Sequence, residues 1–170
     1  RSAFGIRGIK IIVDGIPETL PDGQAGVDSI DLGSAKSIQV LRGPSSSLYG
    51  NASGGVIVIE SETGQKPPFV EANLAAGGLG YEKYQLKAGG KAGRFDYLVN
   101  IASQELDGYR EHSASEGTLF NGRFGFQLGE DDSLTFALNS TDQSLAQDPG
   151  GINAAQAALD RKSARAANML

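Results

Sequence analysis

Cysteine is absent from the 170 residues, which excludes a disulfide framework and any thiolate metal site and is compatible with an oxidising compartment. Tryptophan is absent too. With 24 glycines and an apolar fraction of 39%, the composition is odd for a compact soluble domain. No apolar run approaches the roughly 18 residues of a membrane-spanning helix. That absence leaves a membrane open, because a barrel strand needs only about 9–11 residues of alternating character. An excess of basic residues is missing as well. The net charge of −5 argues against a nucleic-acid partner, since phosphate contacts need clustered Lys and Arg. Arg1-Ser2-Ala3-Phe4 carries no charged-then-apolar leader. The chain starts inside a motif and stops in an alanine-rich run, which reads as an internal fragment.

What is present centres on residues 42–57. Ile38-Gln39-Val40-Leu41 leads in and Val56-Ile57-Val58-Ile59 leads out, both β-branched and bounded by turn residues, as buried strands are. Gly43-Pro44 ends the first run, because proline fixes φ and donates no N–H to a ladder. Earlier, Lys10-Ile11-Ile12-Val13 is a short strand stopped by Asp14-Gly15, followed by a proline- and glycine-punctuated loop from Ile16 to Ala25. Residues 28–33 are expected to start a short helical turn, with Asp28 as N-cap and Gly33 as stop. Residues 1–62 thus read as one mixed α/β unit, and residues 63–68, with Pro67-Pro68, as a linker.

From Phe69 onward the pattern has a period of two. Tyr84, Leu86 and Ala88 alternate with Lys83, Gln85 and Lys87. Phe95, Tyr97, Val99 and Ile101 alternate with Asp96 and Asn100, and Phe120, Phe124 and Phe126 stand against Asn121, Arg123 and Gln127. Strands are expected at about 69–77, 81–91, 94–104, 119–129 and 132–142, followed by a long open stretch in which Asn153 to Ala167 favours a short helix. Apolar-against-polar alternation fits a soluble antiparallel sheet on a core or a barrel wall between lipid and water. Apart from the first tight turn, long connections alternate with short ones, which favours the barrel. Phe95, Phe120, Phe126 and Tyr81 would suit interfacial girdles.

Catalytic chemistry is not indicated. Ser45, Ser46, Ser47 and Ser53 lack a Gly-x-Ser-x-Gly elbow, and the single histidine, His112, sits in a polar loop without an orienting partner. The serines read as satisfying backbone groups in a turn. His112 with Glu111 and Glu116 is weak company for a metal, Asp107, Asp131, Asp132 and Asp142 follow no calcium-loop spacing, and no phosphate-cradling loop is present. No cofactor and no metal is expected.

Arg42-Gly43-Pro44-x-Ser46-x-Leu48-Tyr49-Gly50 with Gly54-Gly55-Val56-Ile57 resembles the segment closing the plug domain of TonB-dependent outer-membrane receptors, and Ile6-Arg7-Gly8 with Asp14-Gly15-Ile16-Pro17 is similar to the same family's earlier plug element. The resemblance implies a plug segment followed by the first five or so strands of a large transmembrane β-barrel of the 22-stranded, plugged kind. It implies a non-enzymatic receptor in the outer membrane of a Gram-negative bacterium, taking up a ferric siderophore. TonB with ExbB and ExbD would act through a segment outside residues 1–170. By the same resemblance, Glu18, Thr19, Leu20, Asp22 and Gln24 would contribute to the substrate pocket at the plug apex. Arg7 and Arg42 would hold plug to barrel wall through charge-assisted hydrogen bonds. Glu71, Asn73, Lys83, Gln85, Asp96 and Arg123 are expected to face inward, as partners of those arginines or lining water. Cobalamin, copper, haem and glycan receptors share the plug pattern. A non-transporting outer-membrane barrel and a soluble β-rich binding module are the readings from other classes.

Overall fold

The structure is a computed structural model, and it describes residues 6–18, 24–25, 30, 32–44, 46–50 and 52–165. The chain divides into two compact units, Arg1–Gly64 and Gln65–Leu170.

In the first unit β1 (Ile6–Arg7), β2 (Ile9–Val13), β3 (Ile16–Pro17) and β4 (Gln24–Ala25) precede a 3-10 turn at Leu32–Ser34. Then come β5 (Ala35–Arg42), a one-turn helix α1 (Ser46–Tyr49) and β6 (Gly55–Ser61). A four-stranded mixed sheet has the order β3-β2-β6-β5, with β2 parallel to β6 and β5 antiparallel to it. Asp14 and Gly15, at φ +50° and +82°, form the two-residue turn that pairs β2 with β3. Positive φ at both positions is what a tight hairpin needs to match strand twist. Asp14 also joins β2 to the end of β6: its N–H donates to the Ile59 carbonyl at 3.0 Å, and its carboxylate accepts from the Ser61 N–H at 2.8 Å. Ile11 and Ile59 are the buried centre, with Val13, Ile30, Ala35 and Ile57 packed around them.

The helical turn expected at 28–33 differs from what forms. Gly33 lies inside the 3-10 turn instead of ending a helix. Ser34 is buried, its carbonyl accepts from the Glu62 N–H at 2.9 Å, and β5 starts at the next residue, so only a tight turn fits. Asp28, Ser29 and Asp31 lie outside the described residues. The connection at 42–55 likewise holds α1 where punctuation alone was read.

The second unit is a five-stranded antiparallel meander: β7 (Phe69–Ala76), β8 (Glu82–Ala92), β9 (Phe95–Leu106), β10 (Ser115–Gln127) and β11 (Ser133–Ala146), each strand beside its sequence neighbour. The last helix, α2 (Ala154–Leu159), starts with a capping box in which Asn153 and Gln156 each accept from the other's backbone N–H. Among the described residues no helix is long and apolar enough to cross a membrane.

Two strand limits depart from the sequence reading. β10 begins at Ser115 rather than near 119, and β11 runs to Ala146 rather than to about 142. β10 pairs with β9 without a break from Ser115, where Ser115-Glu116-Gly117-Thr118 offers no apolar residue to mark a strand. In β11 the cause is a bulge. Glu116 pairs with Leu145 but Thr118 with Asp142, so β11 carries one extra residue at that point. A bulge shifts the side-chain parity by one, and the alternation that marks a strand in sequence is lost there although pairing continues. Phe120, expected at a strand end, lies well inside β10.

The faces of this sheet differ from those of a soluble sheet: large apolar residues are exposed on one face, and on the other, beside the buried Leu98, Ala102 and Leu119, charged and amide side chains are buried. Leu74, Leu86 and Leu138 are 77%, 50% and 49% exposed, whereas Lys87 is 6% and Asn100 0% exposed. Four successive cross-strand rows form the outward band: Ala92-Phe95-Phe126-Leu134, Gly90-Tyr97-Phe124-Phe136, Ala88-Val99-Gly122-Leu138 and Leu86-Ile101-Phe120-Ser140. Above them Glu82, Glu105 and Glu116 stand side by side, so the band has a charged upper limit. An apolar outer band with a polar inner face is the arrangement of a barrel wall in lipid.

Candidate functional site

Two arrangements give the molecule its chemistry: a glycine junction in the first unit and a polar face in the second. At the junction the two turn-rich motifs meet. Gly54 N–H donates to the Gly8 carbonyl at 2.7 Å, and a side chain at Gly8 (φ +77°) would begin 2.8 Å from the Ser53 hydroxyl. Gly55, at φ +142°, lies so close to β5 that a Cβ would sit 2.5 Å from the Leu41 carbonyl oxygen. Ala52, between these glycines and α1, is fully buried. The motif residues thus bring three backbones together where no Cβ fits.

On the inner face of the meander one row is polar across all five strands: Glu71-Lys87-Asn100-Asn121-Asn139. Lys87 pairs with Glu71 at 3.1 Å, and its ammonium also lies 5.9 Å from the Phe69 ring centre. Gln85 Nε2 donates to Asn100 Oδ1 at 2.8 Å. Below, Arg123 donates to Asp96 at 3.1 Å, and Gly125, which faces Asp96 on the next strand, leaves room for that carboxylate. Both side chains of this pair are about four-fifths buried, at 21% and 22% exposure. Asp96→Ala should therefore destabilise the folded protein by about 2 kcal/mol, because it leaves a largely buried guanidinium unpaired. Adding Arg123→Leu should restore most of that loss. The midpoint of heat denaturation of the detergent-solubilised protein, taken through the double-mutant cycle, reads both effects.

The expected site residues are distributed as follows. Glu18 is half-buried and its N–H donates to the Ile11 carbonyl at 3.0 Å. Gln24 lies in β4 directly opposite Arg7 in β1, so the fold joins two residues that the sequence assigned to different roles. Arg42 is exposed at the end of β5, where it pairs with Gly55. Thr19, Leu20 and Asp22 lie outside the described residues. Of the inward set, Glu71, Gln85, Asp96 and Arg123 have partners within the sheet itself. The alternation puts Lys87, Asn100, Asn121 and Asn139 on the polar side of their strands, although they were not among the residues expected to face inward. Their signal was parity: each shares a face with residues that were named. Among the described residues no three His, Cys, Asp or Glu side chains gather as a metal-binding group.

Comparison with known proteins adds an independent line. Residues 1–56 match the family model described as TonB-dependent Receptor Plug Domain. The metal-pseudopaline receptor CntO of Pseudomonas aeruginosa (strain UCBPP-PA14) is 27% identical over 108 residues, covering 61% of this chain and 15% of its own. Among solved structures, the pyoverdine outer membrane receptor FpvA from Pseudomonas aeruginosa PAO1 superposes with a TM-score of 0.70 at 22% identity, over 83% of this chain and 21% of that one. The ferric-catecholate import receptor Fiu from E. coli K12 gives 0.65 at 22% identity, over 78% and 20%. The copper transporter OprC gives 0.63 at 22% identity, over 79% and 23%. At these identities the structures establish a shared fold, and this chain spans about a fifth of their length.

Proposed function

We propose that this chain is a TonB-dependent receptor plug domain followed by strands of the same family's barrel wall, and that the whole protein is an active-transport receptor of the Gram-negative outer membrane whose cargo is a ferric siderophore. Cargo binds from outside to the apex of the plug, with Glu18, Thr19, Leu20, Asp22 and Gln24 contributing. Arg7 and Arg42 hold the plug to the wall. TonB, energised with ExbB and ExbD, does work on a segment outside residues 1–170, and the plug rearranges to let the cargo pass. This is a population shift driven by external work, without a bond-making step. The wall closes as a barrel of the 22-stranded kind that holds a plug.

The observation that carries the reading is the sheet with large apolar residues exposed on one face and Lys87 and Asn100 buried on the other, joined to a matched plug domain. The ferric choice is supported by relatives named for pyoverdine and ferric-catecholate import. A second reading, a metal complex other than iron, is supported by relatives named as a metal-pseudopaline receptor and a copper transporter. Uptake of radiolabelled iron, copper, nickel and zinc, each with its chelator, by cells carrying or lacking the full-length gene separates them. Iron uptake that needs both this gene and TonB, with the protein more abundant in outer membranes of iron-starved cells, is the expected result. Dependence for another metal alone would replace the cargo, and no TonB-dependent uptake of any of them would overturn the metal-transport reading.

A further inference from the structure

The end of the meander that carries residues 77–81, 107–114 and 147–165 is knitted together by hydrogen bonds, and one side chain dominates the knot. Arg110 donates through Nε and one terminal nitrogen to the Ser163 carbonyl, at 3.1 and 2.7 Å; the same terminal nitrogen also donates to the Pro149 carbonyl at 3.4 Å, and the other donates to the Gly150 carbonyl at 2.7 Å. A guanidinium spreads its donors over three nitrogens in a planar fork and can serve carbonyls on separate sides at once, whereas the three donors of an ammonium sit on a single atom. Around it the backbones also join: Glu111 N–H donates to the Lys162 carbonyl at 2.7 Å, Gln147 N–H to that of Ala114 at 2.9 Å, and Arg165 N–H to that of Pro149 at 2.8 Å. The first connection is tied in through Leu79, whose carbonyl accepts from the N–H groups of Asp107 and Gly108 at 3.0 and 3.2 Å. Gly80 leaves the space that the Asp107 side chain fills. Lys162 lies 5.9 Å from the exposed Tyr109 ring centre.

We propose that Arg110 is a positioning residue for ligand capture: it pins the stretch 147–165 onto the strand ends so that three connections act as one body. The pin stands on the hydrogen bonds above, and its effect on capture rests on the transport reading of the previous subsection. Most of the 147–165 stretch has little buried apolar surface, and the short α2 has no buried residue. Its order therefore depends on charge-assisted bonds to carbonyls, which are among the stronger hydrogen bonds.

The test uses the full-length protein in outer membranes. Trypsin cuts after Arg161 and Lys162, both exposed and within the pinned stretch. Arg110→Ala should raise the rate of that cut by about tenfold or more, and Arg110→Lys, whose single ammonium cannot reach all three carbonyls, should fall between. The heat-modifiable gel mobility of the barrel should stay unchanged. In the Arg110→Ala background a Glu111→Cys, Lys162→Cys pair, with no competing cysteine in these 170 residues, should restore protection of the bond after Arg161 once oxidised, relative to the same protein reduced. For whichever ferric complex the wild type transports, a trihydroxamate or a tricatecholate, Arg110→Ala should raise the half-saturating concentration several-fold at unchanged maximal rate. Unchanged cleavage in a folded Arg110→Ala protein overturns the pin. Faster cleavage with unchanged half-saturation overturns the positioning role. A wild type that transports neither complex overturns the ferric reading, while the protease comparison still decides the pin.

Discussion

Leu138→Arg should cost the folded protein about 2–4 kcal/mol in a bilayer, the penalty for a cation on the lipid face near the midplane of a barrel. Leu138 lies in the third of the four outward rows and is 49% exposed, with nothing in its own sheet to bury it. On a soluble sheet a half-exposed leucine changed to arginine is close to neutral, since surface substitutions stay within about 0.5 kcal/mol. The neighbouring Asn139→Arg supplies the contrast. Asn139 ends the inner polar row beside Asn121, so an arginine there meets polar surroundings and should cost under about 1 kcal/mol. Equilibrium unfolding of the full-length protein from vesicles measures both. Equal effects at 138 and 139 would contradict the lipid-facing assignment of the band.

The second large effect is expected at Gly55. Alanine there combines a backbone conformation that side chains rarely adopt with a Cβ placed 2.5 Å from the Leu41 carbonyl oxygen. That oxygen belongs to the paired strand β5 and has nowhere to move. The substitution should destabilise the first unit by about 3 kcal/mol or more. Gly15→Ala is the control. Gly15 also has positive φ, but nothing lies within 4 Å of where its Cβ would be, so only the left-handed strain of about 1 kcal/mol remains. Unfolding of the first unit in the full-length protein, followed by calorimetry separately from that of the strand meander, should rank the two. Similar transitions for Gly55→Ala and Gly15→Ala would mean that the β5–β6 approach is looser than described.

What could be read from the sequence follows from where the physics is local. The hairpin at Asp14-Gly15 is announced by its own two residues, since few others take positive φ twice in succession. The alternation of Phe95, Tyr97, Val99 and Ile101 against Asp96 and Asn100 marks β9 because each face meets a uniform environment. Alternation alone, however, does not say which face is wet, and only the exposure of Leu86 against the burial of Lys87 separates a barrel wall from a soluble sheet. The extent of β11 was not legible, because the bulge opposite Glu116 and Thr118 breaks the period while the ladder continues. Nor was the role of Arg110. Its acceptors are backbone carbonyls about 40 to 53 residues away, and carbonyls leave no mark in a sequence. The pairing of Arg7 with Gln24 escaped for a related reason: a two-residue strand has no period to detect.

The strand glycines bear on how this wall tolerates change over generations. A Cβ at Gly90 would lie 2.8 Å from the Tyr97 hydroxyl and 2.9 Å from its ring, and one at Gly89 would lie 2.7 Å from the Phe69 ring and 3.0 Å from Leu98. Each ring occupies the volume its glycine leaves vacant, one on the outward face and one on the inward. Such partners form a single heritable unit. A methyl gained at 90 is a clash while the tyrosine stays, and a ring lost at 97 is a hole while the glycine stays. Drift at these positions has to pass through a worse intermediate or change both at once, so the small residues of this wall are held in place by the large ones across the strand.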